Sequence, residues 1–330
     1  MKTHINLLVL YLSLLFLGCS KEFASPKDSN VEVFEEFLKF TEENYALLEV
    51  KKIDWEAVKI GYRPKVSNQM TQDSFFSICH QAIKELKDGQ CYVNNGRTLQ
   101  TYDFKTGYDI QFKLEVVLNY LKRKNIDVRS DPLSETINDT TAYVHFYSLF
   151  HSDSDKIKSA IGYTTFSRFK KVIIDLRNAY GGQPIAAFNL LRHFVSTPTQ
   201  VGSMVHKNGR GPKDFKTVPV IVQPTSEYVG DKKIIILTNR YTFNVVTYVV
   251  AVLQTLPNVT LIGQTTGPGS GLELPYELPN GWTVAVASNY FLPANGRHIE
   301  DGIKPDIEIN NTALDLQNKR DRMLERAIAE

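Results

Sequence analysis

From about residue 141 onward, short β-branched runs alternate with amphipathic stretches, and this alternation constrains the fold more than any other feature of the chain. Parallel strands need long crossover connections, so a strand–helix–strand order predicts an α/β domain with a mainly parallel sheet. Helices are predicted around 184–194 and 244–253, and a terminal helix over 312–329. The predicted strands are Tyr143–Tyr147, Lys171–Leu176, Lys233–Thr238 and Val259–Gly263, with Trp282–Phe291 extending the same sheet.

The part of the chain before this core has a helical pattern. Ser29 and Glu32 have the spacing of a capping box, and apolar residues follow at intervals of three and four. A second helix is predicted from Asp54 to just before Pro64, and a third begins at Thr71. We therefore predict a small helical N-terminal domain over residues 31–125, followed by the α/β core over residues 126–330.

The N-terminus has the pattern of a bacterial lipoprotein signal. A basic start precedes an apolar run that is shorter than the roughly twenty residues needed to cross a bilayer, and the run closes on Gly18 and Cys19. We predict a signal peptide over residues 1–18, an acylated Cys19 and a polar tether over residues 19–30. This places the protein in the cell envelope, attached to a membrane through its lipid alone. An ordinary secretory peptide with an incidental cysteine is the alternative.

Charge and motif content argue against several classes of function. The formal net charge is +2 and no Lys/Arg cluster stands out, so nucleic-acid binding is not expected. Neither an HExxH motif nor paired CxxC motifs occur, so we predict no metal and no cofactor. Cys79 and Cys91 are the remaining cysteines, and both a disulfide and two buried thiols are compatible with the sequence.

Two predicted strands lead directly into turns of the kind that form catalytic sites. After Lys171–Leu176 come Gly181 and Gly182, whose backbone N–H groups can face outward and stabilise a developing negative charge. After Lys233–Thr238 comes a polar turn into a helix, a geometry that exposes a nucleophile in hydrolases. The exposed residue of this second turn is predicted to be Asn244.

Four short segments with characteristic motifs occur in order along the second part of the chain. They are Asp175–Gly182 (the DLRNNxGG turn), Asn239–Val246 (a nucleophile turn), Ile262–Gly267 (the VGxxTxG turn) and Glu300–Ile307 (the closing EGxGIxPDI segment). These motifs resemble those of the tail-specific, or C-terminal processing, serine peptidases, and Tyr45–Gln90 is similar to the helical prelude of lipoprotein members. The chain is closest in pattern to the tricorn-core and retinoid-binding-protein-like branch, because no PDZ-like insert is evident. The resemblance implies a ClpP/crotonase-like core.

The resemblance also assigns roles to single positions. Asn244 stands at the nucleophile position, Gln90 stands where a DGH turn supplies the catalytic histidine, and Glu300 matches the supporting acid. In the serine-lysine branch, the base position corresponds to Gly269. The implied oxyanion donors are the N–H of Gly181 or Gly182 and that of Val245, which need only backbone atoms.

These assignments leave two hypotheses. An asparagine amide is not a usable nucleophile and a glutamine amide cannot shuttle a proton near neutral pH, which predicts a pseudoenzyme that binds a peptide or an unfolded segment. The alternative is an active serine-type peptidase with displaced or substitute groups. Residues weighed for that role are Ser270, Thr242, Thr247 and His298.

Overall fold

The computed structural model describes residues 29–121, 132–150, 154–162 and 168–330. The predicted signal peptide, Cys19, nearly all of the tether and the predicted domain boundary at 125/126 lie outside these ranges. Within the described ranges, no helix has the length and apolarity that a membrane span requires.

A six-stranded sheet forms the centre of the core. Its order is β13-β9-β8-β5-β4-β3, with parallel pairing from β13 through β4 and an antiparallel β3 at one edge. The predicted mainly parallel α/β core is therefore confirmed. The strands are β3 (Leu133–Asn138), β4 (Thr141–His145), β5 (Lys171–Asp175), β8 (Lys233–Thr238), β9 (Val259–Gly263) and β13 (Ile307–Glu308).

Helices cover both faces of this sheet. Val172 and Ile174 of β5 belong to one apolar cluster, which includes the helices that follow β5 and β8, whereas Ile173 belongs to another, which includes the C-terminal helix. Burial on both faces explains the continuous β-branched runs in the sequence. The helices of the core are α4 (Leu114–Tyr120), α5 (Ser154–Ile161), α6 (Pro184–Leu191), α7 (Val246–Leu253), α8 (Ala313–Gln317) and α9 (Arg322–Ala329).

Three helices precede the core, as predicted: α1 (Asn30–Asn44), α2 (Trp55–Tyr62) and α3 (Gln72–Lys84). The Ser29/Glu32 capping box is formed, and Asp54 and Thr71 cap α2 and α3. This part also contributes two short strands that were not predicted, β1 (Tyr92–Asn94) and β2 (Leu99–Thr101). Cys79 and Cys91 are buried free thiols.

The prediction that Trp282–Phe291 extends the central sheet is wrong. The segment forms β11 (Thr283–Ala287) in a sheet of order β10-β11-β1-β2, and then β12 (Asn289–Pro293) in a sheet of order β12-β6-β7. The chain changes sheets at Ser288, and both sheets are antiparallel. The predicted single terminal helix is likewise two helices, α8 and α9. The remaining strands are β6 (Thr199–Lys207), β7 (Phe215–Val222) and β10 (Glu273–Glu277).

Candidate functional site

The two predicted turns leave the carboxyl ends of β5 and β8, which are parallel neighbours in the sheet. The Asn239 amide connects them: its Nδ2 donates to Asn178 Oδ1 at 2.7 Å, and its Oδ1 accepts from Asn178 N at 3.0 Å. Ligands bind outside the carboxyl ends of strands in open α/β sheets, so the turns lie where a site is expected.

Asn244 lies at the strand-to-helix elbow that precedes α7, with a left-handed φ of 62°. Asparagine tolerates this conformation better than most residues. Its side chain is bonded at both ends: Oδ1 accepts from Val245 N at 2.6 Å, and Nδ2 donates to Gly271 O at 3.2 Å. The amide of Asn244 therefore uses the Val245 N–H, which the sequence analysis expected to be available as an oxyanion donor.

The paired-glycine turn requires glycine for steric reasons. Gly181 and Gly182 have φ of 64° and 121°. A Cβ on Gly182 would lie 2.5 Å from the Leu149 Cβ, so no larger residue fits without a backbone shift. The Gly181 N–H donates to Phe243 O at 3.4 Å, a long bond that ties this turn to the elbow. No hydrogen bond from the Gly182 N–H to another described residue is present.

Both turns open into one cleft of about 410 Å³. Four of the predicted site residues line this cleft: Gln90, Gly181, Gly182 and Asn244. Val245 is fully buried beneath the elbow. The other lining residues are Gly89, Phe150, Tyr180, Phe243, Leu272 and Glu273.

Gln90 enters the cleft from the segment between α3 and β1, and the buried carboxylate of Asp88 fixes its backbone. Asp88 Oδ1 accepts from Gln90 N at 2.9 Å, and Asp88 Oδ2 accepts from the Tyr45 hydroxyl at 2.9 Å. Asp88 is fully buried. Asp88 has no role that could be predicted from sequence, because its burial depends on a contact with the distant Tyr45 that no local pattern reveals.

Glu300 lies behind the cleft instead of lining it. Its carboxylate accepts hydrogen bonds from Ser270 N at 3.1 Å and from the Ser270 hydroxyl. Burial, together with the nearby charge of Asp88, raises the pKa of Glu300 to about 7, and the two bonds from Ser270 oppose that rise. Glu300 therefore anchors the loop that carries Ser270 and Gly271.

The four residues weighed as substitute catalytic groups are placed in structural roles. Ser270 is fully buried, and its hydroxyl donates to Glu300 and accepts from Phe291 N. The hydroxyls of Thr242 and Thr247 donate to backbone carbonyls. His298 is exposed and packs beside Tyr290, with no hydrogen bond to Glu300. Neither serine nor histidine is among the described residues that line the cleft.

A buried ion network supports the glycine turn from below. Arg177 is fully buried and pairs with Asp175 and with Asp321 at the start of α9. The Tyr143 hydroxyl donates to Asp175 at 2.8 Å. The network joins the turn after β5 to the C-terminal helix. Sequence reasoning missed this link, because Asp321 is remote in the chain and has no motif of its own.

The elbow, the paired-glycine turn and the shared cleft together define a serine-peptidase type of fold. The chain belongs to peptidase family S41, since the family's profile, "Peptidase family S41", matches residues 140–309. The profile of the "Tricorn protease C1 domain" matches residues 26–84. The predicted family is thus confirmed, and with it the α/β fold with helices at the N-terminus.

Similar proteins include the carboxy-terminal processing protease CtpA of Bacillus subtilis (strain 168), which is 25% identical over 189 residues. That match covers 57% of this chain but only 39% of the relative. A crystal structure of a provisionally assigned peptidase from Parabacteroides merdae ATCC 43184 is 29% identical, with a TM-score of 0.82 over 92% of this chain and 96% of that one. Mature CPAF, 10% identical, has a TM-score of 0.66 over 91% of this chain and 95% of its own, and shares the fold alone.

Proposed function

We propose that this member of family S41 is a pseudoenzyme: a lipid-anchored protein of the cell envelope that binds an extended peptide in its cleft without hydrolysing it. The observation that carries the proposal is the position of the Asn244 amide, which bonds to Val245 N and to Gly271 O. In this geometry the residue at the elbow acts as a structural tie.

The chemistry of the two amides supports inactivity. Acyl transfer needs a nucleophile and a base that accepts and returns its proton, and neither Asn244 nor Gln90 can do this near neutral pH. Oxyanion stabilisation needs free donors aimed at the developing charge. The Val245 N–H already donates to Asn244, so one of the two donors is also lost.

The edge of β10 supports the binding of an extended peptide. The strand pairs with β11 on one side only, and all five of its residues are exposed. It begins at Glu273, inside the cleft. An exposed edge presents unpaired backbone groups, and peptides bind such edges as an added strand. The proposed ligand therefore runs along β10 toward Asn244.

The N-terminal sequence supports the anchor. The apolar run that closes on Gly18 and Cys19 has the pattern of a lipidated export signal. One acyl chain binds membranes only marginally, so the proposal implies the multiply acylated bacterial form. The protein is proposed to lie on the periplasmic or the outer face of the envelope.

The test uses the purified full-length protein in detergent. It is incubated with an unstructured protein such as casein and with a fluorophosphonate probe, and cleavage and covalent labelling are followed by mass spectrometry. We expect neither cleavage nor labelling, together with saturable binding of extended peptides by fluorescence anisotropy. Labelling of any serine with accompanying turnover would establish the active-peptidase alternative, and absence of peptide binding would remove the proposed groove.

A further inference from the structure

Aromatic side chains form one wall of the cleft. The ring of Tyr180 packs against Tyr147, Phe150 and Phe243, with centroids 5.7, 6.4 and 6.2 Å away. Tyr147, Phe150 and Tyr180 are 46%, 51% and 41% exposed. Exposed apolar side chains that cluster in this way mark binding sites, because scattered single residues are the norm on other surfaces.

The charge in the cleft is negative. Glu273 is the only residue among the described lining residues that carries a charge near neutral pH. Its carboxylate has no hydrogen bond or ion pair with another described residue, and the buried Asp88 carboxylate adds to the negative field around it. Partial desolvation in the cleft raises the pKa of Glu273, with Asp88 as the second cause. A carboxylate in this position lacks a counter-charge, which a ligand can supply.

One ring of this aromatic cluster, that of Phe243, has a cation beside it. The Lys105 ammonium lies 5.1 Å from the ring centre of Phe243, outside the lining of the cleft. No cation from the described residues lies over Phe150 or Tyr180. A cation between an aromatic face and a carboxylate is stabilised by both.

The geometry points to a ligand with a basic side chain: the cleft selects extended peptides that place an arginine or lysine between Glu273 and the exposed rings of Phe150 and Tyr180. This inference rests on the proposed peptide binding and adds its specificity. Arginine fits better than lysine, because its planar guanidinium stacks on aromatic rings and meets a carboxylate with two donors. An acidic side chain would be repelled by the negative charges of Glu273 and Asp88. An apolar side chain would desolvate Glu273 without giving its carboxylate a partner.

The experiment measures fluorescence anisotropy of the full-length protein with four labelled peptides. Their alanine–serine background is identical, and the central residue is arginine, citrulline, norleucine or glutamate. Citrulline has nearly the shape of arginine without its charge. The protein variants are Glu273→Gln and the control Glu277→Gln, which removes an exposed carboxylate from the other end of β10, outside the lining of the cleft.

We expect the arginine peptide to bind about tenfold more tightly than the citrulline peptide, and this preference to fall to about threefold or less in Glu273→Gln but not in Glu277→Gln. Tyr180→Ala should weaken the arginine peptide more than the norleucine peptide. Equal affinity for the arginine, citrulline and norleucine peptides would overturn the inference while leaving peptide binding intact. Failure of all four peptides to bind would instead contradict the proposed peptide binding itself, and therefore also its specificity.

Discussion

Asn239 and Asn178 exchange two hydrogen bonds between the turns that form the cleft, one at 2.7 Å and one at 3.0 Å. Asn178 has a left-handed φ of 61°, and the Asn239 carbonyl holds its backbone N–H in that conformation. This buried amide and the backbone bonds between Phe243 and the glycine turn together set the position of that turn relative to the elbow.

Asn239→Ala should destabilise the protein by about 1–3 kcal/mol, because it leaves the Asn178 N–H and Oδ1 without these partners at a half-buried position. The free energy of unfolding from urea denaturation measures the effect. Asn119→Ala, an exposed helical position with no side-chain hydrogen bond to a described residue, is the control and should change stability by no more than about 0.5 kcal/mol. Equal effects of the two substitutions would contradict the role of the pair.

Asn244→Ser combined with Gln90→His should restore measurable serine reactivity, whereas either substitution alone should give little. Serine at the elbow releases the Val245 N–H from its bond to Asn244 Oδ1 and supplies the hydroxyl, and histidine supplies the base. Covalent labelling by a fluorophosphonate, located by peptide mapping, is the measurement. The double variant with Glu300→Gln added reports whether the supporting acid contributes. Labelling of Asn244→Ser alone at the rate of the double variant would show that Gln90 is not at the base position.

The raised pKa of Glu300, about 7, has a defined consequence for stability. Between pH 4.5 and pH 7 the native state holds a proton on this carboxyl that the unfolded chain, with a pKa near 4.5, has released. The contribution of this group to the free energy of unfolding is therefore greatest below pH 4.5 and falls as the pH rises toward 7. Relative to Glu300→Gln, the wild type should lose about 3 kcal/mol of unfolding free energy between pH 4.5 and pH 8. Glu277→Gln should run parallel to the wild type. A pH-independent difference would contradict the prediction.

Asp321→Ala should cost about 3–5 kcal/mol, because it leaves the fully buried Arg177 with only Asp175 as a charged partner. Arg326→Ala, also on α9, removes an exposed pair with Glu330 and should cost about 1 kcal/mol or less. Thermal and urea denaturation of both variants compare the two sites. A small effect of Asp321→Ala would show that α9 is held by its apolar contacts alone.

Cys19→Ser should abolish metabolic labelling by radioactive palmitate and release the protein into the soluble fraction. The physical reason is that the predicted anchor is the acyl group on this cysteine, which follows the apolar signal. The Cys79→Ser variant, which alters a buried thiol of the folded domain, should label as the wild type does. Unchanged labelling and fractionation of Cys19→Ser would rule out Cys19 as the anchor, and absence of labelling in the wild type would leave the ordinary secretory peptide as the explanation.

Local signals made much of this fold predictable. The capping box at Ser29, the β-branched strands and the paired glycines each act within a few residues, and each was placed correctly. The strand pairing of Trp282–Phe291 could not be predicted in the same way. Tyr92 pairs with Ala285 and Met204 pairs with Phe291, and no local pattern encodes contacts between such distant segments.

The features of the site show the same division between local sequence signals and contacts of distant residues. Gln90, Gly181, Gly182 and Asn244 belong to short motifs, so sequence alone could place them in one cleft. The bond between Asn244 and Val245 depends on one side-chain rotamer and on the position of Gly271, and the burial of Asp88 depends on Tyr45. These contacts decide the chemistry of the site, and they depend on the three-dimensional structure.

The small sheet of β10, β11, β1 and β2 bears on how the protein is made. Val93 pairs with Val284, and Phe75 stacks on Trp282 with ring centres 5.1 Å apart. During synthesis, helices α1–α3 therefore emerge from the ribosome long before the strands that complete their apolar core. Under the proposed export, this apolar core cannot be completed until β10 and β11 have crossed the membrane, because both strands lie near the C-terminal end of the chain.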